Sequence, residues 1–337
     1  MVEKVAQTDP KVVIIGGGTG SFALLSGFKK YTSNLTAIVN MADDGSSSGI
    51  LRDELGVLPP GDARRCLVAL SDSPRVRELF EYRYDEGPMK GHAFGNIFLA
   101  TLEKLTGSFA EAIDTASEVL NIRGRVVPAT LDDVRLRLSW PHKQLVLHGE
   151  RVIDVEYFKY DPRSAKLSLE PQATANPAAL TAIMDANLVV IAPGDLYTSL
   201  GPILIADGMK KALNNTKARI VYVCNLVTKV GQTDGFDVST HASEIERFIG
   251  KPVIDTVLYN TGMPTENLLK KYAKVGEHWV RANTKLLEGA HYDAIGGDFV
   301  AHNAVKLINK SDPLTHHRTF IRHDAGKVAR RLLQDLN

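Results

Sequence analysis

Hydrophobic runs alternate with glycine-rich turns in the first part of the chain. Val12 to Ile15 is an unbroken β-branched run, which is typical of a central parallel strand covered on both faces. A glycine-rich stretch follows directly, and apolar residues then recur at helical spacing, which predicts a helix over about Phe22 to Lys30. Leu35 to Val39 predicts a second buried strand. The pattern therefore predicts a strand, a loop, a helix and a parallel strand in succession.

The same alternation returns after residue 175. Apolar strands are predicted at Leu188 to Ala192, Arg219 to Cys224 and Val253 to Tyr259. Helices are predicted at Pro202 to Leu213, Val238 to Ile249 and, as a packing helix at the end, Lys327 to Leu336. Strands that alternate with helices favour a mostly parallel sheet.

The middle of the chain has a different period. Leu136, Leu138 and Trp140 alternate with polar residues, a turn follows at Pro141 to Gln144, and the alternation then resumes, which predicts an antiparallel hairpin. We therefore predict a Rossmann-like, doubly wound α/β fold. Its first half spans residues 1–124, a small β-rich insertion spans about 125–175, and the second half with the C-terminal helix spans 176–337.

Composition and charge exclude several classes of protein. Forty Lys and Arg against 39 Asp and Glu give a formal charge of +1, so no basic field favours a nucleic acid as partner. Cys66 and Cys224 lie in apolar runs, which indicates buried thiols in a reducing compartment. No window approaches the roughly 20 apolar residues of a membrane span. We expect a cytoplasmic protein without a membrane span, and the sequence leaves a homo-oligomer open.

The first glycine loop is the clearest candidate for a phosphate site. Backbone amides of such a loop can approach a pyrophosphate, and the following helix adds a partial positive charge. The spacing is that of the dinucleotide fingerprint with serine in place of the third glycine, and the lysine of a P-loop ATPase is absent. A tight turn without a ligand is the alternative. The candidate residues are Gly16, Gly17, Gly18, Thr19, Gly20 and Ser21.

Polar residues follow the second predicted strand. Asn40 lies 20 residues beyond the last glycine of the loop, close to where dinucleotide folds hold the ribose hydroxyls. Asp43 and Asp44 could hold a divalent cation such as Mg²⁺ through carboxylate oxygens, or accept hydrogen bonds from substrate hydroxyls. Ser46 and Ser47 come next and could contact the same ligand. The alternative is a solvated turn with helix-capping serines.

Two further segments precede predicted helices. Asp62 follows a Pro-Pro-Gly turn, and we weigh helix capping and ligand contact equally for it. Asn96 closes a glycine-flanked loop that also carries His92. His92 could carry a proton, but spacing identifies no acid or nucleophile partner, so a structural histidine is favoured.

A second glycine loop directly follows the strand at Leu188 to Ala192. Its threonine and serine are neutral donors that suit phosphate oxygens, and two such loops would meet at a topological switch point. Asn225 and Asn260 end later strands at the same edge, where amides could bind a base or sugar; ordinary strand-end polarity is the favoured interpretation for Asn260. The loop residues that could contact a ligand are Pro193, Gly194, Tyr197, Thr198 and Ser199.

Histidines near the end of the chain have no metal-binding pattern. The two clusters are His316 to Arg318 and Arg322 to Asp324. Their spacing fits no standard zinc site and no cysteine lies nearby, so a solvated or anion-facing segment is favoured.

An ordered set of motifs resembles the gluconeogenesis factor (YvcK-like) family, a relative of 2-phospho-L-lactate transferase (CofD). The likeness covers about residues 11–335 and includes IIGGGTG, VNMADDGSSSGILRDELGVLPPGD, KGHAFGN, APGDLYTS and the closing RHD. The resemblance implies a Rossmann-like sheet that binds a UDP-sugar, typically UDP-N-acetylglucosamine, in proteins that support cell shape and wall synthesis during gluconeogenic growth. It also implies that the first glycine loop and Thr198 with Ser199 contact the nucleotide.

The related transferase provides the alternative hypothesis. It joins a phospholactate unit to a deazaflavin alcohol, with loss of GMP, in a magnesium-dependent reaction; in that case Asp43 and Asp44 would hold the metal. The PGDLYTS loop favours the gluconeogenesis branch. Our leading hypothesis is therefore a nucleotide-sugar-binding regulator that needs no turnover. A scaffold whose ligand only sets its assembly state is a third hypothesis.

Three positions depart from the pattern of that family. Ser46 stands where a second glycine is usual, Arg65 where asparagine is usual, and Asp195 where serine is usual. A serine at position 46 is costly if the backbone there has positive φ. Asp195 places an anion beside a predicted phosphate loop, which weakens the phosphate hypothesis unless the side chain turns away or holds a cation.

Overall fold

The computed structural model of the chain describes residues 9–301 and 321–336. Ten strands lie in the described part: β1 (Val12–Ile15), β2 (Leu35–Val39), β3 (Arg125–Pro128), β4 (Arg135–Trp140), β5 (Leu145–His148), β6 (Lys166–Glu170), β7 (Leu188–Ile191), β8 (Arg219–Val223), β9 (Thr256–Asn260) and β10 (Asp293–Gly297).

Helices connect most of these strands. Those in the described residues are α1 (Gly18–Phe28), α2 (Ser46–Leu55), α3 (Gly61–Leu70), α4 (Pro74–Glu81), α5 (Phe94–Thr106), α6 (Phe109–Leu120), α7 (Glu150–Val155), α8 (Pro177–Asp185), α9 (Gly201–Leu204), α10 (Met209–Asn215), α11 (Val238–Ile249), α12 (Glu266–Ala273), α13 (Thr284–Glu288) and α14 (Ala325–Gln334). None of them is long and apolar enough to cross a membrane.

Seven parallel strands form the main sheet in the order β10-β9-β8-β7-β1-β2-β3. The chain runs outward from β1 through β2 to β3 and then returns to β7 on the other side of β1, so the direction of winding reverses between β1 and β7. This confirms the predicted doubly wound, mostly parallel sheet. The ends of β1 and β7 at the reversal define the crevice where ligands of such folds bind.

Both faces of the sheet are buried, which explains the unbroken apolar runs. Val12 and Ile14 of β1 pack with Phe28 of α1 on one face, whereas Val13 and Ile15 belong to the cluster on the other face. Successive side chains of a strand point to opposite faces, so a strand covered on both sides must be apolar at every position.

The predicted hairpin lies in a separate three-stranded antiparallel sheet of order β5-β4-β6. Trp140 of β4 packs edge-on against Phe158, with ring centroids 5.4 Å apart, in the cluster that also holds Ile15 of the main sheet. Arg125–Pro128, which we assigned to the insertion, pairs in parallel with β2 and is the edge strand of the main sheet. The small sheet thus starts ten residues later than the insertion predicted at 125–175.

Other element boundaries shift for local reasons. Helix α1 begins at Gly18 rather than Phe22, because the end of the glycine loop forms its first turn. The helix predicted from Pro202 to Leu213 divides into α9 and α10, and the break falls at Gly208, whose φ of +94° is outside the helical region. Strand β10 was missed because its sequence, DAIGG, has no apolar run.

Candidate functional site

A crevice of about 480 Å³ lies at the carboxyl ends of β1, β2 and β7. Its position at the switch point and its volume are those of a small-molecule site in an α/β fold. The predicted site residues that line it are Gly17, Gly18, Thr19, Gly20, Asn40, Asp43, Ser46, Ser47, Asp62, Asn96, Pro193, Gly194, Thr198, Ser199 and Asn225.

Four predicted residues do not line this crevice. Gly16 and Ser21 pack behind the loop: a Cβ on Gly16 would lie 2.6 Å from Ser21 Oγ, and Ser21 is fully buried. Tyr197 points to the far side of its loop, where its hydroxyl donates to Glu244 Oε1 at 2.7 Å. For these three residues the structure corrects the sequence analysis, since they pack the loops and do not face the crevice. Asp44 is the fourth.

The predicted pair Asp43 and Asp44 is split. Asp44 turns toward the small sheet, accepts a hydrogen bond from the Arg151 amide at 2.6 Å and lies 3.5 Å from Arg135 Nη1. Asp43 faces the crevice and accepts from the Gly45 amide at 2.9 Å. Consecutive residues in a loop point different ways, so their adjacency in sequence does not make a shared ligand set.

Asp62 occupies the start of α1. Its Oδ1 accepts the Gly18 amide at 2.9 Å, and its carboxylate lies so close to Gly17 that a Cβ there would be 1.7 Å from Oδ2. Asp62 does not cap its own helix α3, whose N-cap is Pro60. Instead a protein carboxylate satisfies the first amide of α1, the position where a phosphate sits in many dinucleotide folds.

The wall beside Asp43 is acidic. Burial, and then repulsion by Asp62, raise the pKa of Asp43 to about 6. Glu150, which sequence reasoning missed, comes from α7 beside the small sheet; burial and the neighbouring Asp43 and Asp154 raise its pKa to about 9. In the described residues no group of three or more His, Cys, Asp or Glu side chains is arranged to hold a metal ion. Asp44 is turned to Arg151 and Arg135, so it does not face the crevice beside Asp43, and a metal held by the two aspartates together stays a prediction.

The second loop is held rigidly. Asn225 bonds both backbone groups of Gly194, accepting at 3.1 Å and donating at 2.8 Å. Asn40, directly after β2, also holds this loop, because its Nδ2 donates to the carbonyl oxygen of Thr198 at 3.0 Å. The Thr198 hydroxyl donates to Asp154 Oδ1 at 3.4 Å, whereas Ser199 is less buried. The loop is thus preorganised by side chains that come from distant strands.

Lys229 compensates the negative charge of Asp195. Its Nζ lies 3.4 Å from Asp195 Oδ2 and 3.0 Å from Asp154 Oδ1. Asp195 therefore pairs with a cation, and its negative charge no longer argues against a phosphate beside this loop. No motif or residue spacing in the sequence predicted that Lys229 would lie at this site.

His92 has a partner that spacing did not reveal. Its Nδ1 lies 3.0 Å from Ser47 Oγ, and Asn96 Nδ2 donates to the same hydroxyl at 3.1 Å. Arg64 Nε in turn donates to Asn96 Oδ1 at 2.7 Å, which fixes the orientation of the amide. A buried hydrogen-bond network thus holds Ser47 at the crevice wall.

The end of the chain also reaches the site. Arg322 and His323 line the crevice, and burial lowers the pKa of His323 to about 4. Asp324 caps α14 by accepting from the Lys327 amide at 3.0 Å. His316 to Arg318 lie outside the described residues. Asn260 does not line the crevice and accepts from the Phe299 amide at 2.7 Å, in keeping with the structural role favoured for it.

A larger cavity of about 940 Å³ adjoins the crevice. The two share Val227, Thr228, Tyr272 and Glu277, so they meet along one wall. The larger cavity extends along α12 to Trp279 and Arg281. A ligand longer than a pyrophosphate could therefore reach from one cavity into the other.

Comparison with known proteins identifies the class and then the family. The family model of 2-phospho-L-lactate transferase CofD matches residues 12–300, so the fold and its crevice define a protein of the CofD type. The gluconeogenesis factor of Listeria monocytogenes is 39% identical over 331 residues, which cover 97% of this chain and 96% of that protein. The gluconeogenesis factor of Halalkalibacterium halodurans is 38% identical over 313 residues, 88% of this chain and 94% of that protein.

A solved structure agrees with this result. The crystal structure of a Bacillus halodurans protein superposes with a TM-score of 0.87 at 36% identity, over 96% of this chain and 99% of that one. The chain belongs to the gluconeogenesis factor family.

Proposed function

We propose that the protein binds a nucleotide sugar similar to UDP-N-acetylglucosamine and acts as a regulator without turnover. The observation that carries the proposal is the crevice at the switch point, where two preorganised loops on adjacent parallel strands face each other. Family membership supports it, and we extend the proposal to a role in cell shape and wall synthesis during gluconeogenic growth.

The two walls suit the two ends of such a ligand. Hydrogen-bond donors for a diphosphate come from Ser199 and from the loop amides of Thr19 and Gly20, which lie in the first turn of α1. Acceptors for sugar hydroxyls come from Asp43 and from Glu150. A nucleotide sugar carries an anionic group beside a hydroxyl-rich ring, and it therefore matches both walls.

The alternative is a magnesium-dependent transferase like CofD. The acidic wall favours it, since a divalent cation could displace the protons that the raised pKa values of Asp43 and Glu150 hold and bind their carboxylates instead. The orientation of Asp44 argues against it, because that carboxylate is already bound to Arg151 and Arg135. A metal-dependent reaction would therefore need other ligands than the aspartate pair.

Thermal unfolding with and without ligand tests the proposal. UDP-N-acetylglucosamine at one hundred times its Kd should stabilise the native state by about 2.7 kcal/mol, and a deazaflavin alcohol should have little effect. Ser199→Ala should weaken binding about tenfold or more, because a hydrogen bond to a charged oxygen is worth roughly 1.5–3 kcal/mol. Ser243→Ala, which changes an exposed serine of α11, is the matched control. Stabilisation by the deazaflavin alcohol alone would favour the transferase.

A further inference from the structure

Arg65 is a cation at the crevice, where its positive charge acts on Asp43 and opposes the rise in the pKa of that carboxyl. It lies on α3, lines the crevice and is partly buried. Across the residues that the structure describes, no hydrogen bond or salt bridge engages its guanidinium. A Cβ on Gly18 would lie 3.5 Å from Arg65 Nη1, so the guanidinium is beside the first glycine loop. Within the described part of the chain, its five N–H donors thus have no hydrogen-bond acceptor, and they lie next to a loop of the kind that binds phosphate.

Asp62 restricts where the phosphate group of a ligand can bind. Because its carboxylate accepts the Gly18 amide at 2.9 Å, the start of α1 is already occupied by a negative group. A phosphate at the same amide would meet that carboxylate at close range and be repelled. The anion of a ligand must therefore use donors other than the Gly18 amide, and a nearby cation such as Arg65 must compensate the charge of Asp62.

Further cations lie on the same side of the crevice. Arg64 and Arg83 also line it, and Arg64 is buried, with Nε bound to Asn96. Burial, and then the like charges of Arg65 and Arg83, lower the pKa of Arg64 to about 9. Ser47 lies at this wall within the network of His92 and Asn96. Three arginines that repel one another are stabilised when an anion binds among them.

We propose that Arg65 forms the phosphate subsite of this crevice and replaces the amide that Asp62 occupies. The guanidinium binds two oxygens of one phosphate group through its planar fork. The ligand class is a diphosphate ester or pyrophosphate.

The identity of the diphosphate ester rests on the proposed function, whereas the anion subsite does not. Isothermal titration calorimetry with UDP-N-acetylglucosamine and, separately, with inorganic pyrophosphate tests the identity of the ligand and the anion subsite independently. The variants are Arg65→Gln and Arg65→Lys, with Arg75→Gln as a matched change of an exposed arginine on α4. Unchanged melting temperatures confirm that the variants are folded.

We expect Arg65→Gln to weaken both ligands by about 10- to 100-fold, since it removes charge-assisted bonds to a phosphate. Arg65→Lys keeps the charge without the fork and should lie in between. Arg75→Gln should bind like the unchanged protein. Equal affinities of Arg65→Gln and the unchanged protein for UDP-N-acetylglucosamine would overturn the subsite and leave the proposed function standing.

Pyrophosphate separates the remaining outcomes. Arg65-dependent binding of pyrophosphate without any binding of UDP-N-acetylglucosamine would support the subsite and overturn the nucleotide-sugar proposal. If the unchanged protein binds neither, both proposals are wrong.

Discussion

Replacing Ser46 by glycine should stabilise the protein. Ser46 has a φ of +45°, which L-residues reach only at a cost of roughly 1–2 kcal/mol. Glycine removes that cost but adds about 0.4–1 kcal/mol of backbone entropy to the unfolded chain. The Ser46 side chain is exposed and makes no hydrogen bond within the described residues, so little else is lost. The expected net gain in the free energy of unfolding is about 0.5–1 kcal/mol.

Urea unfolding at equilibrium measures this difference, with two controls. Gln144→Gly, at φ +51° in the exposed turn after β4, should give a similar gain. Ser73→Gly, at φ −88°, should give none, because the native backbone there is open to any residue. If Ser46→Gly loses stability as an ordinary serine-to-glycine change does, local contacts favour the serine and the strain argument is wrong.

Two substitutions test the residues that the structure turns away from the crevice. Asp44→Asn should cost about 1 kcal/mol, by weakening the bond to the Arg151 amide and the ion pair with Arg135, yet leave ligand affinity unchanged in calorimetry. Lost ligand binding would return Asp44 to the site. Tyr197→Phe removes the hydrogen bond to the buried Glu244 and should cost roughly 1–3 kcal/mol in urea unfolding with unchanged ligand affinity. A higher ligand Kd in this variant would contradict the finding that Tyr197 points away from the crevice.

The fold was predictable where burial leaves a local signal. Strands β1 and β2 match their predicted bounds, because a strand covered on both faces is apolar at every position. Strand β10 lies at the edge of the sheet and is only partly covered, so its sequence does not need an apolar run. Its place was set by pairing with β9, a contact between distant parts of the chain.

The site was predictable only as far as strand ends determine it. Loops that follow adjacent parallel strands must meet at one edge, so the glycine loop and Ser199 could be assigned together. Glu150 and Lys229 reach the crevice through long-range packing, for which residue spacing has no signal. Nor can spacing tell which of two neighbouring carboxylates faces the crevice, because that depends on partners such as Arg135, 91 residues away from Asp44.

The raised pKa values on the acidic wall predict how ligand affinity changes with pH. Asp43 should ionise near pH 6 and Glu150 near pH 9, whereas their ordinary values are 3.8 and 4.5. For a carboxyl whose folded pKa is raised, the neutral form predominates between the ordinary and the raised value, and its contribution to stability is lost as pH rises through that window. Each ionisation adds a negative charge to the crevice, so a diphosphate ligand should bind more weakly from pH 6 to pH 9, by a factor of roughly 3 for each charge. Glu150→Gln should flatten the upper part of the curve of affinity against pH, and Glu118→Gln, at an exposed site on α6, should not.

Calorimetry across this pH range, with and without Mg²⁺, also separates the regulator from the transferase. A cation binds ionised carboxylates, so a magnesium-dependent transferase would bind its substrate more tightly as pH rises. Affinity that increases with pH only when Mg²⁺ is present would refute the metal-free regulator.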